Sequence, residues 1–527
     1  MKNASLFLLM VLFSSFAVAQ TIHVNGAQSG VWDADTVLVT DNVKVKDSLI
    51  VLPGTVVLFD GFYSITVKDG AVFKAQGKET DSVFFTVSDT TGFCMYDSGK
   101  GGWNGFQLYK AGKVLFDHCV LEYGKAADEK DQHGGALEII GCNDVEVNNS
   151  TFHCNTAREH GGALNAENSR VVLTDCRVVD NRLYTEDPLY YMYGGAFRFL
   201  KCDVEMHGME FRRNEGEICI GGALSLDSCS VVLDRAVFTE NIGLNGAGLY
   251  LMRSNHLECR FSNLLFDDNL AHHFGGGLAF SDSSPDVYNM LVTNNESEGV
   301  ACSGVFFYQY SSPKLTNCII YGNYPGETAG NPDTVQMWAW TFEDYAPEFR
   351  NCVIEGDTSY FMGFRYVKVY EDILDVDPLF VDAEHHDFHL QEKSPCRDAG
   401  NRFVPIYLLN GTDLDGNERV KGHYIDIGPY ESSPASVPQY LRQPAFAKLI
   451  GNPLGFGSRL VMELDQKEEV VVKVYSSVGR ESVIKTFDGE AGSNTFEIGD
   501  MVGEIVPGIY LIEIIANDKV CTLKAVK

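Results

Sequence analysis

Two residue series recur through the middle of the chain with one shared period, and they constrain the fold more than any other feature. A Gly-rich motif ending in an apolar residue occurs at Gly134-Gly135-Ala136-Leu137, Gly161 to Leu164, Gly194 to Phe197, Gly221 to Leu224, Gly246 to Leu249, Gly275 to Leu278, and Ser303 to Phe306. Its apolar ends are 27, 33, 27, 25, 29 and 28 residues apart. In phase with it run Asn155, Asn181, Asn214, Asn241, Asn269, Asn295 and Asn323, spaced 26, 33, 27, 28, 26 and 28. Two independent series with one period mark a repeat whose units must cover one another.

The residues before each Asn show what is repeated. Three positions upstream stand Phe152, Val178, Phe211, Phe238, Phe266, Val292 and Ile320; five upstream stand Ser150, Cys176, Met209, Ala236, Leu264, Met290 and Cys318. Extending the register adds Cys119/Leu121 and Cys352/Ile354. Thr151, Arg177 and Glu210 fall between, so the alternation has the period of two that strands require. Like residues at like positions in successive coils mean parallel stacking. The fold class is therefore all-β: a right-handed parallel β-helix with coils of about 27 residues, each with room for three short strands and three turns. The Asn series belongs at a bend, bonding across coils, and the Gly pairs permit φ > 0 where the next strand opens. Cys142, Ser169, Cys202, Cys229, Ser254, Ser283 and Ser311 form a third series of small residues. Coil spacing could bring Cys202 and Cys229 within disulfide range, or these could be small buried thiols.

The chain has 41 Lys+Arg against 72 Asp+Glu, a formal charge of −31. That disfavours nucleic acid and anionic membrane surfaces as partners. Residues 1–19 combine Lys2, an apolar stretch from Leu6 to Phe16 and the small-x-small end Ala17-Val18-Ala19, which reads as a cleaved export signal. The stretch is shorter than a membrane span needs, and no later segment is long and apolar enough, so no transmembrane anchor is expected.

Residues 36–86 and 102–126 resemble the opening coils of exported bacterial β-helix proteins of the pectin-lyase-like kind. DVDPLFVDAEHHDFHLQEKSPCRDAGN (375–401) and DLDGNERVKGHYIDIGPYE (413–431) are similar to the segments that close such helices. With the repeat, the helix domain is expected over 20–431. A Ser/Pro-containing linker follows at 432–446, and residues 447–527 carry hairpin-like strands suited to a small β-sandwich. This last region resembles the C-terminal (Por) sorting domain of the Bacteroidota type IX secretion system. The matching features are Gly451-Asn452-Pro453, Val474-Tyr475 to Gly479-Arg480, Gly508-Ile509-Tyr510 and the basic end Lys524 to Lys527; Gly451 stands where that family usually has Pro. The resemblance implies the secretion machinery as a partner, passage through the periplasm, and a cell-surface or extracellular destination. Asp35-Thr-Val, Asp47-Ser-Leu, Asp81-Ser-Val, Asp89-Thr-Thr and Asp333-Thr-Val resemble O-glycosylation sites of the same phylum.

Exported β-helices are often polysaccharide lyases or hydrolases, yet neither a pectate-lyase-like Trp-Ile-Asp-His nor a polygalacturonase-like paired-Asp signature occurs. Loops between the Asn and Gly series emerge on one edge and hold the candidate site. Lys130, His133, Arg158 and His160 are the proton-transfer candidates; Asp128, Asp131, Glu159, Tyr184, Tyr190, Tyr191 and Tyr193 are the binding candidates. His133, His160 and Tyr193 directly precede Gly pairs and are expected to stack. Trp338 and Trp340, in a long loop, offer faces for sugar stacking. The same groups could instead be solvated turns with one tolerated insertion at 182–193. No Cys pair has zinc-ligand spacing and no metal or other cofactor is expected; Asp413-Leu-Asp415-Gly416-Asn417 falls short of a complete calcium loop and reads as a turn. Two functions remain: a non-catalytic protein presenting the edge to a glycan or host partner, or a polysaccharide lyase or glycosidase acting at 128–193.

Overall fold

The computed structural model describes residues 20–95, 98–127, 133–184, 191–299, 302–325, 336–342, 344–357, 361–362, 367–401, 403–409, 411–422, 424–432, 447–450, 454, 457–476, 481–499, 509–516 and 519–526. The chain divides into two compact units, residues 1–186 and 187–527. Residues 1–19, read from the sequence as an export signal, lie outside the described residues. No helix among them is long and apolar enough to cross a membrane.

In the first unit each coil contributes three short strands that pair in parallel with those of the next coil. One face stacks Ile65–Lys68, Phe106–Tyr109, Leu137–Ile140 and Leu164–Glu167. A second stacks Val72–Gln76, Val114–Asp117, Val145–Asn148 and Arg170–Thr174. The third stacks Val83–Val87, Cys119–Glu122, Thr151–His153 and Arg177–Val179. The interior is aromatic: Phe73, Phe85, Phe106 and Phe116 pack together, and fully buried Trp103 stacks on Phe59 at 4.4 Å. Lys125 is also fully buried, its ammonium donating to the carbonyls of Phe93, Met95 and Lys100 at 2.9, 2.8 and 3.0 Å. Those acceptors replace the water that the charge gave up.

The second unit repeats the plan. One face runs from Phe197–Leu200 through Leu224–Asp227, Leu249–Met252, Leu278–Ser281 and Val305–Gln309 to Met337–Thr341. The other two faces are traced by single bent strands, Asp203–Arg212, Ser230–Thr239, Cys259–Asp267 and Asp286–Thr293. Burial alternates on either side of the bend in the first two, while the second halves of Cys259–Asp267 and Asp286–Thr293 are buried throughout; at the bend Gly208, Arg235, Asn263 and Asn289 adopt φ of 66, 54, 54 and 54°.

The series read from the sequence become ladders. Each Asn side chain accepts from the backbone N–H and Nδ2 of the Asn one coil earlier: Asn181 from Asn155, Asn241 from Asn214, Asn269 from Asn241, Asn295 from Asn269, and Asn323 from Asn295, at 2.8–3.1 Å. All are buried. The small-residue series does likewise, with Ser169 Oγ accepting from Cys142 N–H and Ser254 Oγ from Cys229 N–H. No disulfide joins Cys202 and Cys229; the Cys202 N–H instead meets Cys229 Sγ at 3.4 Å. Burial raises the Cys229 thiol pKa well above its ordinary range.

Two expectations need correction. The seventh Gly motif is out by one residue, because Val305, not Phe306, pairs with Leu278. Cys302 takes the left-handed position (φ 77°) that Gly275 fills one coil earlier, and the Gly275 N–H bonds to its carbonyl. The segment expected to close the helix instead packs along a flank of the second unit. Leu265, Leu291, Ile319 and Val353 form an outward apolar row, and Phe388, Leu390, Cys396 and Ile427 cover it. Bend residues anchor it, with Asn263 Nδ2 donating to the Thr412 carbonyl and Asn289 Nδ2 to those of Asp426 and Gly428. Asp413–Asn417 forms the expected turn, Asp413 Oδ1 accepting the Asn417 N–H at 2.7 Å.

From Ala447 onward pairing becomes antiparallel. A three-stranded sheet (Ala447–Ile450, Arg459–Leu464, Gly492–Glu497) and a four-stranded sheet (Glu468–Ser476, Glu481–Gly489, Ile509–Ala516, Lys519–Val526) share an apolar core including Leu460, Val472, Ile512 and Ile514.

Candidate functional site

In the first unit, the turn ahead of the Gly motif brings three of the expected residues together. His133 and His160 form a parallel β-bridge, and their rings stack at 5.0 Å with 9° between planes. Glu159 Oε2 lies 3.7 Å from His133 Nε2. One ligand atom from each of the three residues falls within 4.8 Å of the others, so they could hold a metal ion. Arg158 is half-buried beside them, and the Tyr184 N–H bonds to the Ala157 carbonyl at 3.0 Å. Asp128, Lys130, Asp131 and Tyr190 lie outside the described residues. Tyr191 and Tyr193 belong to the second unit: Tyr191 is 66% exposed, whereas Tyr193 is half-buried against an apolar cluster with Tyr250, Met252 and Phe306.

The other expected pair, Trp338 and Trp340, proves to be part of something larger. On strand Met337–Thr341, Met337 and Ala339 point inward, so Trp338 and Trp340 point outward. The parallel register sets Trp338 beside Phe306 and Trp340 beside Tyr308. Trp338 and Trp340 stack on each other at 5.6 Å, and Tyr310 stacks on Phe342 at 4.7 Å. Trp340, Phe342 and Tyr310 are 59, 54 and 43% exposed. Aromatic faces held in register and left open to water are suited to the C–H faces of sugars. The Trp pair alone was visible in the sequence; Tyr308, Tyr310 and Phe342 join it only through strand register.

A cavity of about 300 Å³ in the second unit was not foreseen at all. Its walls are His207, Asp234, Arg260, Ser262 and Asn263 from three successive coils, and Tyr407 from the short helix Ile406–Leu409. Burial alone would raise the Asp234 carboxyl, but hydrogen bonds from His207, Ser262 and Asn263 outweigh it and hold the group below its ordinary range. Ser262 Oγ and Asn263 Nδ2 donate to Asp234 Oδ1 at 2.7 and 2.8 Å. The Arg260 guanidinium lies 5.3 Å over the Tyr407 ring.

With stacked parallel coils and their ladders established, comparison with known families is decisive for the fold. A family model for the right handed beta helix region matches residues 85–262 and 203–361, together more than half of the chain. The chain belongs to the right-handed β-helix family. Membership accounts for the parallel faces of this β-helix protein, and it leaves the chemistry of its surface open. No curated protein matches the chain.

Proposed function

We propose that this β-helix protein is a secreted or cell-surface protein that binds a glycan or a glycan-bearing host partner without transforming it. The observation that carries the reading is the aromatic row on the outer face, in which Trp340, Tyr310 and Phe342 are exposed while Trp338 and Tyr308 are half-buried against an apolar cluster. Residues 1–19 serve as the export signal in this reading, and residues 447–527 as a type IX sorting domain with a β-sandwich fold. The test is retention of the purified chain on immobilised plant, host and bacterial polysaccharides, compared with Trp340→Ala. Binding that needs Trp340 supports the reading; binding indifferent to it removes the aromatic row from the function.

The cavity beside Asp234 favours a second reading, a polysaccharide-degrading enzyme. Its His–carboxylate pair and Arg260 could handle a proton and an acidic sugar, although a glycosidase needs a second carboxylate that the cavity lining lacks. Among the described residues of the 128–193 edge, the carboxylate of Glu159 lies close to the imidazoles of His133 and His160. New reducing ends or unsaturated uronate released from the same panel would establish this reading over the first.

A further inference from the structure

We propose that His133, Glu159 and His160 form a binding site for a zinc-class divalent cation on the edge of the first unit. Solenoid geometry creates the site. His133 and His160 occupy the same position in successive coils, so the strand-to-strand repeat sets one imidazole above the other, and the parallel bridge fixes both backbones. The ring planes are nearly parallel, 9° apart, with the rings stacked at 5.0 Å between centroids. Nδ1 of each ring is buried, which leaves Nε2 as the nitrogen each can offer to an incoming ion.

Glu159 adds the third donor, with its carboxylate 3.7 Å from His133 Nε2 and all three ligand atoms within 4.8 Å of one another. Tetrahedral zinc with bonds of about 2.0–2.1 Å holds its ligands roughly 3.4 Å apart, so small side-chain rotations complete the set. Two imidazoles and one carboxylate suit Zn²⁺, Co²⁺ or Ni²⁺; calcium and magnesium prefer all-oxygen shells. Three protein ligands leave a position open to water or to a ligand's oxygen. Glu159 is half-exposed, so that position is reachable from solvent.

The experiment uses the full exported chain without a polyhistidine tag, stripped with chelator and kept in millimolar calcium to occupy ordinary surface carboxylates. Co²⁺ is titrated and followed by its visible absorption, and Zn²⁺ is then added in competition. The expected result is about one Co²⁺ per chain, displaced by Zn²⁺. His133→Ala and His160→Ala should each weaken it at least about 100-fold, and Glu159→Gln about tenfold. Glu159→Gln is nearly isosteric at a half-exposed position, so its effect stands even if a His variant misfolds. Absence of Co²⁺ binding in calcium, or binding unchanged in Glu159→Gln and the His variants, would overturn the proposal.

Discussion

The inner Phe stack and the outer aromatic row of the second unit are built from the same kinds of side chain on neighbouring strands, yet they do opposite things. Inside, Phe211, Phe238 and Phe266 repeat without change and stack at 4.8 and 4.7 Å, with planes 0 and 7° apart. Outside, Met252, Ser281, Tyr308 and Trp340 occupy one register position in four successive coils, and aromatic size gathers only at the last two. Repetition marks what every coil needs in order to stack. A local break in repetition marks something that one region alone requires, and there the case for function lies.

The comparison can be broken from the inside first, where effects should be largest. Phe238→Ala removes both ring stacks and opens a cavity that the strands cannot close, with an expected loss of about 3–5 kcal/mol. Urea unfolding should show it as a lower midpoint. Asn269→Ala takes away the acceptor of the Asn241 N–H and Nδ2 and the donor to the Phe238 carbonyl. Buried groups left unsatisfied cost about 1–3 kcal/mol each, so a loss of about 3 kcal/mol is expected by the same measurement.

A smaller effect concerns the flank segment. Burial, reinforced by Asp426, pushes the Glu431 carboxyl up to about 8, even with the Arg419 guanidinium 3.8 Å away. The folded chain thus keeps a proton that an unfolded chain releases near 4.5. The stability this gives is complete below that value and declines as the pH rises toward 8. Thermal melts of Glu431→Gln across that range should be flatter than those of the parent; an equally steep decline would show that Glu431 is not the group responsible. The smallest effect on stability belongs to Trp340→Ala, within about 0.5 kcal/mol because the ring is exposed. Its effect on glycan affinity should be about two- to twelvefold, since each stacked face contributes roughly 0.5–1.5 kcal/mol.

The ladders were legible because they are periodic. Asn241 and Phe238 announce their partners one coil away by spacing alone. Less was legible wherever periodicity failed. At Cys302 a non-glycine residue takes the left-handed position, so a search for Gly pairs slips by one and places Phe306 where Val305 belongs. The flank segment and the Asp234 cavity join residues well over a hundred positions apart, as in the Asn263–Thr412 bond, and no local pattern encodes that. The His133–Glu159–His160 cluster shows a different limit. Spacing rules for metal ligands look within one turn or hairpin, whereas a solenoid brings ligands together from one coil to the next.

The most direct test of the central claim is one column experiment on the purified chain and its Trp340→Ala variant, run over the polysaccharide panel with products assayed in the flow-through. The account predicts retention of the parent on at least one glycan, loss of that retention in the variant, the same melting temperature for both, and no released ends. Retention that survives Trp340→Ala, or release of unsaturated or reducing ends, would contradict it.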